Sequence, residues 1–226
     1  MRRLQEHIDC IHSLHKIIEK QVSKLEYDIC VLGGDYRFRS RGNPLIAIEK
    51  LKQLLPILIK KSPVYGILGN HDQYEIAEFL DENNVHMLIN DNFRIEKKED
   101  CIYLVGIDDG HYFGAADLPE AEKEIPEKEF KILLSHSPEF YKEAESKDYS
   151  LYLAGHTHGG QVCLPGGIPI IKEAPVSSNF ISGKWSFNAL KGYTSKGVGS
   201  SMVPVRFFCP PEIVLITLEK AHLSEG

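Results

Sequence analysis

Residues 148–162 read DYSLYLAGHTHGGQV, a short apolar run that breaks at a glycine and delivers two histidines one residue apart. Leu151, Leu153 and Ala154, with the β-favouring Tyr149 and Tyr152, predict a buried strand, and Gly155 followed by Gly159 and Gly160 predicts a loop at its end. The imidazoles therefore leave a strand tip. In extended backbone residues i and i+2 point the same way, so His156 and His158 can converge on one point, which suits a metal. A polar loop with two solvated histidines has the same spacing, so the reading needs partners from elsewhere in the chain.

The same pattern of apolar run, glycine turn and polar tip recurs outward from this stretch. YDICVLGGDY (27–36) ends in Asp35, PVYGILGNHD (63–72) in Asn70, His71 and Asp72, and EKEFKILLSHSPEF (127–140) in His136. Between them the spacing predicts helices over about residues 4–25 (Ile8, Ile11, Leu14, Ile17, Ile18, Val22), over 43–61, with Pro44 near its start and Pro56 kinking or ending it, and over 75–85. HMLIND (86–91), FRIEKKE (93–99) and CIYLVGIDD (101–109) read as a strand, a hairpin arm and a further strand. Alternating elements of this kind predict a layered α/β protein with a mixed sheet. In such sheets functional groups gather beyond the carboxyl ends of strands, so the tips can meet in one crevice. Singly, Asp35 could be a turn acid, Asn70 a left-handed residue and His136 a satisfied core histidine. Jointly they form an oxygen and nitrogen donor set without thiolate, suited to Mn, Fe or Zn.

Composition narrows the classes. A chain of 226 residues, 42% hydrophobic, fits one globular domain with a sizeable core. The net charge of −6 argues against broad nucleic-acid binding. The five cysteines are scattered and form no CxxC, which predicts reduced thiols and a cytoplasmic location. There is no apolar run near the ~20 residues of a membrane helix and no signal-peptide pattern. Trp185, Phe187 and Tyr193 read as packing in preference to a substrate wall, and Lys184, Lys191, Lys196 and Arg206 as a solvated face in preference to a phosphate site.

The ordered series GGD (33–35), GNHD (69–72), SH (135–136) and GHTHGGQ (155–161) resembles that of the calcineurin-like metallophosphoesterase superfamily over most of the chain. The ending GVGSSMVPVRFFCPPEIVLITL (197–218) is similar to the YkuE-like branch, small bacterial phosphoesterases that include a UDP-2,3-diacylglucosamine pyrophosphatase of lipid A synthesis. The resemblance implies an α/β metallophosphoesterase-type β-sandwich of mixed sheets flanked by helices, as a single domain over 1–226. It implies a pair of divalent metal ions (Mn, Fe or Zn) and hydrolysis of a phosphodiester or pyrophosphate by a metal-activated hydroxide. Asp35 would bridge both metals, Asn70, His136 and His156 would complete one shell, His158 would bind the other metal, and His71 would protonate the leaving oxygen or stabilise phosphoryl charge. The implied substrate is a phosphorylated small molecule or a lipid-linked one such as UDP-2,3-diacylglucosamine, with peripheral membrane contact and no nucleic acid.

Two departures qualify the resemblance. Members open with a strand ending in D-x-H that serves the metal of His158, and the N-terminal region here offers only Asp9 and His12, three apart and within the predicted first helix. The expectation is therefore an N-terminally truncated domain, lacking its first strand and holding about one metal. Phe38 also stands where the family often has a second Asp. A weakened or inactive chain acting as a binding module, and a nuclease, are the alternative functions.

Overall fold

A computed structural model describes residues 18–170 and 174–220. Most of the helix expected over 4–25, with Asp9 and His12, lies outside the described residues; residues 18–22 of it are helical. The remaining order is β1 (Cys30–Leu32), α1 (Leu45–Ile59), β2 (Val64–Gly66), α2 (Tyr74–Glu82), β3 (Val85–Met87), β4 (Asp91–Lys97), β5 (Asp100–Gly106), α3 (Leu118–Ala121), β6 (Lys131–Leu134), α4 (Tyr141–Ser146), β7 (Leu151–Ala154), β8 (Cys163–Leu164), β9 (Ile168–Pro169), β10 (Gly183–Phe187) and β11 (Leu190–Thr194). The expected elements are largely present, though β3 is shorter than the run 86–91.

Two main sheets form. The smaller has the order β1-β2-β3 and is parallel throughout. The larger has the order β10-β11-β7-β6-β5-β4, with parallel pairing from β11 to β5 and an antiparallel hairpin at each edge. Strand side chains alternate between faces, and here that alternation separates three cores. Tyr65, Ile67 and Leu88 from the smaller sheet pack against Leu104, Ile132 and Leu134 from the larger one between the sheets. The opposite face of the smaller sheet meets the helices through Val64, Leu51, Leu55, Ile76 and Leu80. The outer face of the larger sheet carries Val105, Leu133, Tyr152 and Trp185. The layers are thus helix, sheet, sheet and helix, a mixed α/β sandwich.

Pro56 does not end its helix as one of the expectations had it. The helix continues to Ile59, and the Lys60 N–H still donates to the Pro56 carbonyl. Proline's missing donor falls near the C-terminal end, and Lys52, whose carbonyl loses that bond, is exposed to water. The aromatics 185–193 pack as expected: Trp185 is buried with Phe180 and Tyr152, and its indole N–H donates to Thr194 Oγ1 at 2.9 Å. The smaller sheet ends at β1, which has one strand neighbour among the described residues. Ile213, Leu215, Ile216 and Leu218 are exposed and belong to no strand. Such an edge and such apolar surface favour association with other chains.

Leu133 reports on the outer core. It is fully buried on β6, the strand that carries His136 at its tip. Leu133→Ala is expected to cost about 2–5 kcal/mol, because the cavity left beneath a central strand collapses only partly. Urea denaturation should show this as a lower midpoint with an unchanged slope.

Candidate metal centre

Adjacent parallel strands release their polar tips on the same side, which is why distant sequence segments meet. The Ile67 N–H donates to Leu32 O, Ser135 N–H to Leu153 O, and Gly155 N–H to His136 O, so each tip is hydrogen-bonded to its neighbour. Asp35, His136 and His156 each place a ligand-type atom within 4.8 Å of the others. Asn70 Oδ1 lies 3.0 Å from His156 Nδ1, and His136 Nε2 lies 3.3 Å from Asp35 Oδ2. Donor atoms bound about 2 Å from one ion stand about 3 Å apart when adjacent, so these separations suit a shared cation. The structure therefore brings Asp35, Asn70, His136 and His156 together.

Local conformation helps to aim them. Asp35, His156 and His158 all have left-handed backbone, with φ of 57°, 63° and 48°. That region is unfavourable for residues with a Cβ and is held only where surrounding structure over-determines it. Gly34, φ 85°, lets the GGD loop approach the GNHD loop closely; a Cβ there would stand 2.6 Å from the Gly69 nitrogen. Asp72 ties the loops together. Its Oδ2 accepts from the N–H groups of Asp35 at 2.7 Å and Gly69 at 2.9 Å, and its Oδ1 accepts from Arg37 N–H at 3.2 Å.

Hydrogen bonds also select which ring nitrogens face inward. His136 Nδ1 donates to Gly33 O at 2.7 Å, leaving Nε2 toward Asp35, the arrangement metal-binding histidines use to fix tautomer and orientation. The backbone N–H of His71 donates to Asp35 Oδ1 at 3.0 Å, while its Nδ1 stands 3.9 Å from Asp35 Oδ2. His71 Nδ1, His136 Nε2 and His158 Nε2 are buried without a hydrogen-bond partner. Buried polar atoms are rarely left so. Several such nitrogens around one carboxylate fit a divalent cation as the missing partner.

The charges agree with that geometry. Burial alone would raise the Asp35 carboxyl, but His136 and then His71 hold it well below the usual carboxylate range. Burial lowers His136, yet Asp35 prevails and raises it to about 9. For Asp72, burial and then Asp35 push the carboxyl up to about 7 against its N–H donors. Burial pushes His158 down to about 4, with Asp35 opposing and Arg206 assisting. A cation beside Asp35 would supply the counter-charge that His136 otherwise provides.

Sequence reasoning missed several residues. Asp72 was visible beside His71 but carried no role. Arg206, read as a solvated face, instead braces the 155–161 loop: its guanidinium donates to the carbonyls of Lys196, Gly199, His158 and Cys209 and lies 3.3 Å from His158 Nδ1. The chain does contain one D-x-H, Asp109–Gly110–His111, overlooked because it follows β5 and not an N-terminal strand. It does not form the expected ligand pair. Asp109 Oδ2 is taken by the N–H groups of Tyr112 and Phe113, and His111 Nδ1 lies 2.5 Å from Glu139 Oε1.

Comparison with known proteins bears on this geometry. A family model described as calcineurin-like phosphoesterase matches residues 7–160. Phosphodiesterase YaeI of Escherichia coli is 28% identical over 201 residues, covering 84% of this chain and 70% of that protein. The uncharacterised metallophosphoesterase YkuE of Bacillus subtilis is 29% identical over 223 residues, covering 92% of this chain and 73% of that protein. Among solved structures, the sulfate thiohydrolase SoxB of Thermus thermophilus superposes with a TM-score of 0.50 at 13% identity, covering 85% of this chain and 37% of that one, a likeness of fold alone.

Proposed function

We propose, since the chain belongs to the calcineurin-like phosphoesterase family and is a hydrolase acting on phosphoester bonds, that the bond it cleaves is a phosphodiester or pyrophosphate. The observation that carries this reading is the ring of buried imidazole nitrogens around the Asp35 carboxylate. Asp35, Asn70, His136 and His156 would hold the first divalent cation, Mn, Fe or Zn, and His158 with a share of Asp35 would face the second. Bound cations supply Lewis-acid stabilisation of phosphoryl charge and acidify water. The chain's own groups do the rest. Asp35 orients its two oxygens through the His71 N–H and the loop that Asp72 holds. His71, its side chain 15% exposed, would protonate the departing oxygen.

The substrate in this reading is a phosphorylated small molecule or lipid-linked compound. A UDP-diacylglucosamine is one member of that class, favoured by the C-terminal likeness to the YkuE-like branch. No helix among the described residues is long and apolar enough to cross a membrane; in this reading a lipid-linked substrate is met by peripheral contact from the cytoplasmic side. The test is hydrolysis of bis-p-nitrophenyl phosphate against p-nitrophenyl phosphate by Mn-loaded protein. Faster turnover of the diester supports the reading; turnover of neither defeats it.

A second reading, a binding module with weak catalysis, is favoured by one feature. The group of described residues close enough to share one metal is Asp35, His136 and His156, without His158. The 226-residue chain is therefore expected to retain about one equivalent of metal after dialysis and to cleave diesters slowly, because the two-cation clamp on attacking and leaving oxygens is incomplete. Elemental analysis checks this, and two tightly held equivalents would return attention to Asp9 and His12.

A further inference from the structure

The loop after β5 is built in a way that the metal centre does not explain. Asp108, Asp109 and His111 leave the strand tip as the other polar segments do, and each makes a contact that holds the loop, although Asp109 Oδ1 is buried without a hydrogen-bond partner. Asp108 Oδ2 accepts from the Tyr74 hydroxyl at 2.7 Å. Asn90 Oδ1 accepts the N–H groups of Asp108 and Asp117, while Asn90 Nδ2 donates to Ala115 O, so one side chain closes the loop across its base. Asp109 is buried and its carboxylate caps the amides of Tyr112 and Phe113, each at 2.8 Å. Gly110 sits against the Phe140 ring with no room for a Cβ. His111 lies between Glu139, itself bonded by the Ser137 hydroxyl, and the ring of His156, 4.4 Å away between centroids.

What this scaffold presents is aromatic and wet. Tyr112 is 68% exposed, Phe113 57% and Tyr74 59%, although Tyr112 and Phe113 meet edge to face at 5.0 Å. Tyr74 stands three residues after His71, and His111, next to Tyr112, touches His156. The segments that carry the rings thus adjoin the metal centre through His71 and His111. Exposed rings on a mobile loop would mean little. A loop backbone held by these six hydrogen bonds, one of which also holds the Tyr74 ring, positions the segments that carry the rings for a ligand, because the ordering entropy of the backbone is already spent.

We propose that Tyr74, Tyr112 and Phe113 form the specificity wall of the substrate site and stack on a planar ring, of the nucleobase class, attached to the phosphate that is attacked. The inference rests on the phosphoesterase reading. Aromatic faces bind planar rings by stacking with little dependence on hydrogen-bond pattern. The wall then selects for a ring-bearing phosphate over a bare one without touching the metals.

The experiment compares binding of uridine monophosphate and of inorganic phosphate to Mn-loaded protein by calorimetry, with metal content measured alongside. Wild type is expected to bind the nucleotide about tenfold more tightly than phosphate, the scale of one stacked base. Tyr112→Ala with Phe113→Ala, both exposed positions, should reduce that ratio to within about threefold while phosphate affinity and metal content stay put. Tyr74→Phe, which keeps the ring, should preserve it. An unchanged ratio in the double variant, or no nucleotide preference in wild type, overturns the wall while leaving the hydrolase reading intact. Preference for an acyl phosphate over the nucleotide overturns the assignment of the ring. Wild type that holds no metal and cleaves neither nitrophenyl ester removes the hydrolase reading, and this inference with it.

Discussion

Asp35→Asn is expected to remove bound metal and to lower diester hydrolysis by about 10⁴-fold or more, to near the rate without protein. Asp35 is the carboxylate on which His136 and His71 both bear, and it sits at the focus of the orphaned imidazole nitrogens. Asparagine keeps the shape and an oxygen able to accept the His71 N–H, so the loops should remain in place. What disappears is the negative charge and one of two anionic oxygens, which a cation between imidazoles cannot do without. Elemental analysis and turnover measured on the same preparation check it. Retained metal with retained activity would move the cation elsewhere and take the proposed mechanism with it.

His71→Ala is expected to lower turnover by about 10²–10⁴-fold while metal content stays nearly unchanged, as for loss of a general acid. The separation of the two effects comes from the geometry. His71 holds Asp35 through its backbone N–H at 3.0 Å, which alanine retains, whereas the ring nitrogen is 3.9 Å from the carboxylate. The loss should be smaller for a substrate whose leaving group is a p-nitrophenolate than for one leaving as an alkoxide, since the weaker base needs less protonation. Metal lost together with activity would make His71 a ligand and not an acid.

Asn70 and His136 illustrate what a single sequence makes legible. Each follows an apolar run and a small-residue turn, so the strand, its direction and the polar tip could be read locally, and the shared tip chemistry pointed to a common site. Leu151, Leu153 and Ala154 marked a buried strand, but only the structure separates its faces, with Leu151 and Leu153 packed between the sheets and Tyr152 and Ala154 outside. Arg206 shows the opposite case. Nothing local distinguishes it from an exposed arginine, because the carbonyls it braces come from residues 158, 196, 199 and 209.

The sequence by itself determined the strand tips, the donor types and the layered α/β class, because side-chain periodicity and turn chemistry act over a few residues. Only the tertiary structure decided which tips meet and which polar groups are spent elsewhere. Asp109–Gly110–His111 carries the spacing of a metal-binding pair, yet one carboxylate oxygen caps two amides of its own loop and its imidazole turns to Glu139, whereas Asp35, Asn70, His136 and His156 are brought together. The same residue types can converge on one point or act as loop struts according to which donors the fold places within hydrogen-bond reach, and that is fixed by strand order and register, which no local pattern encodes.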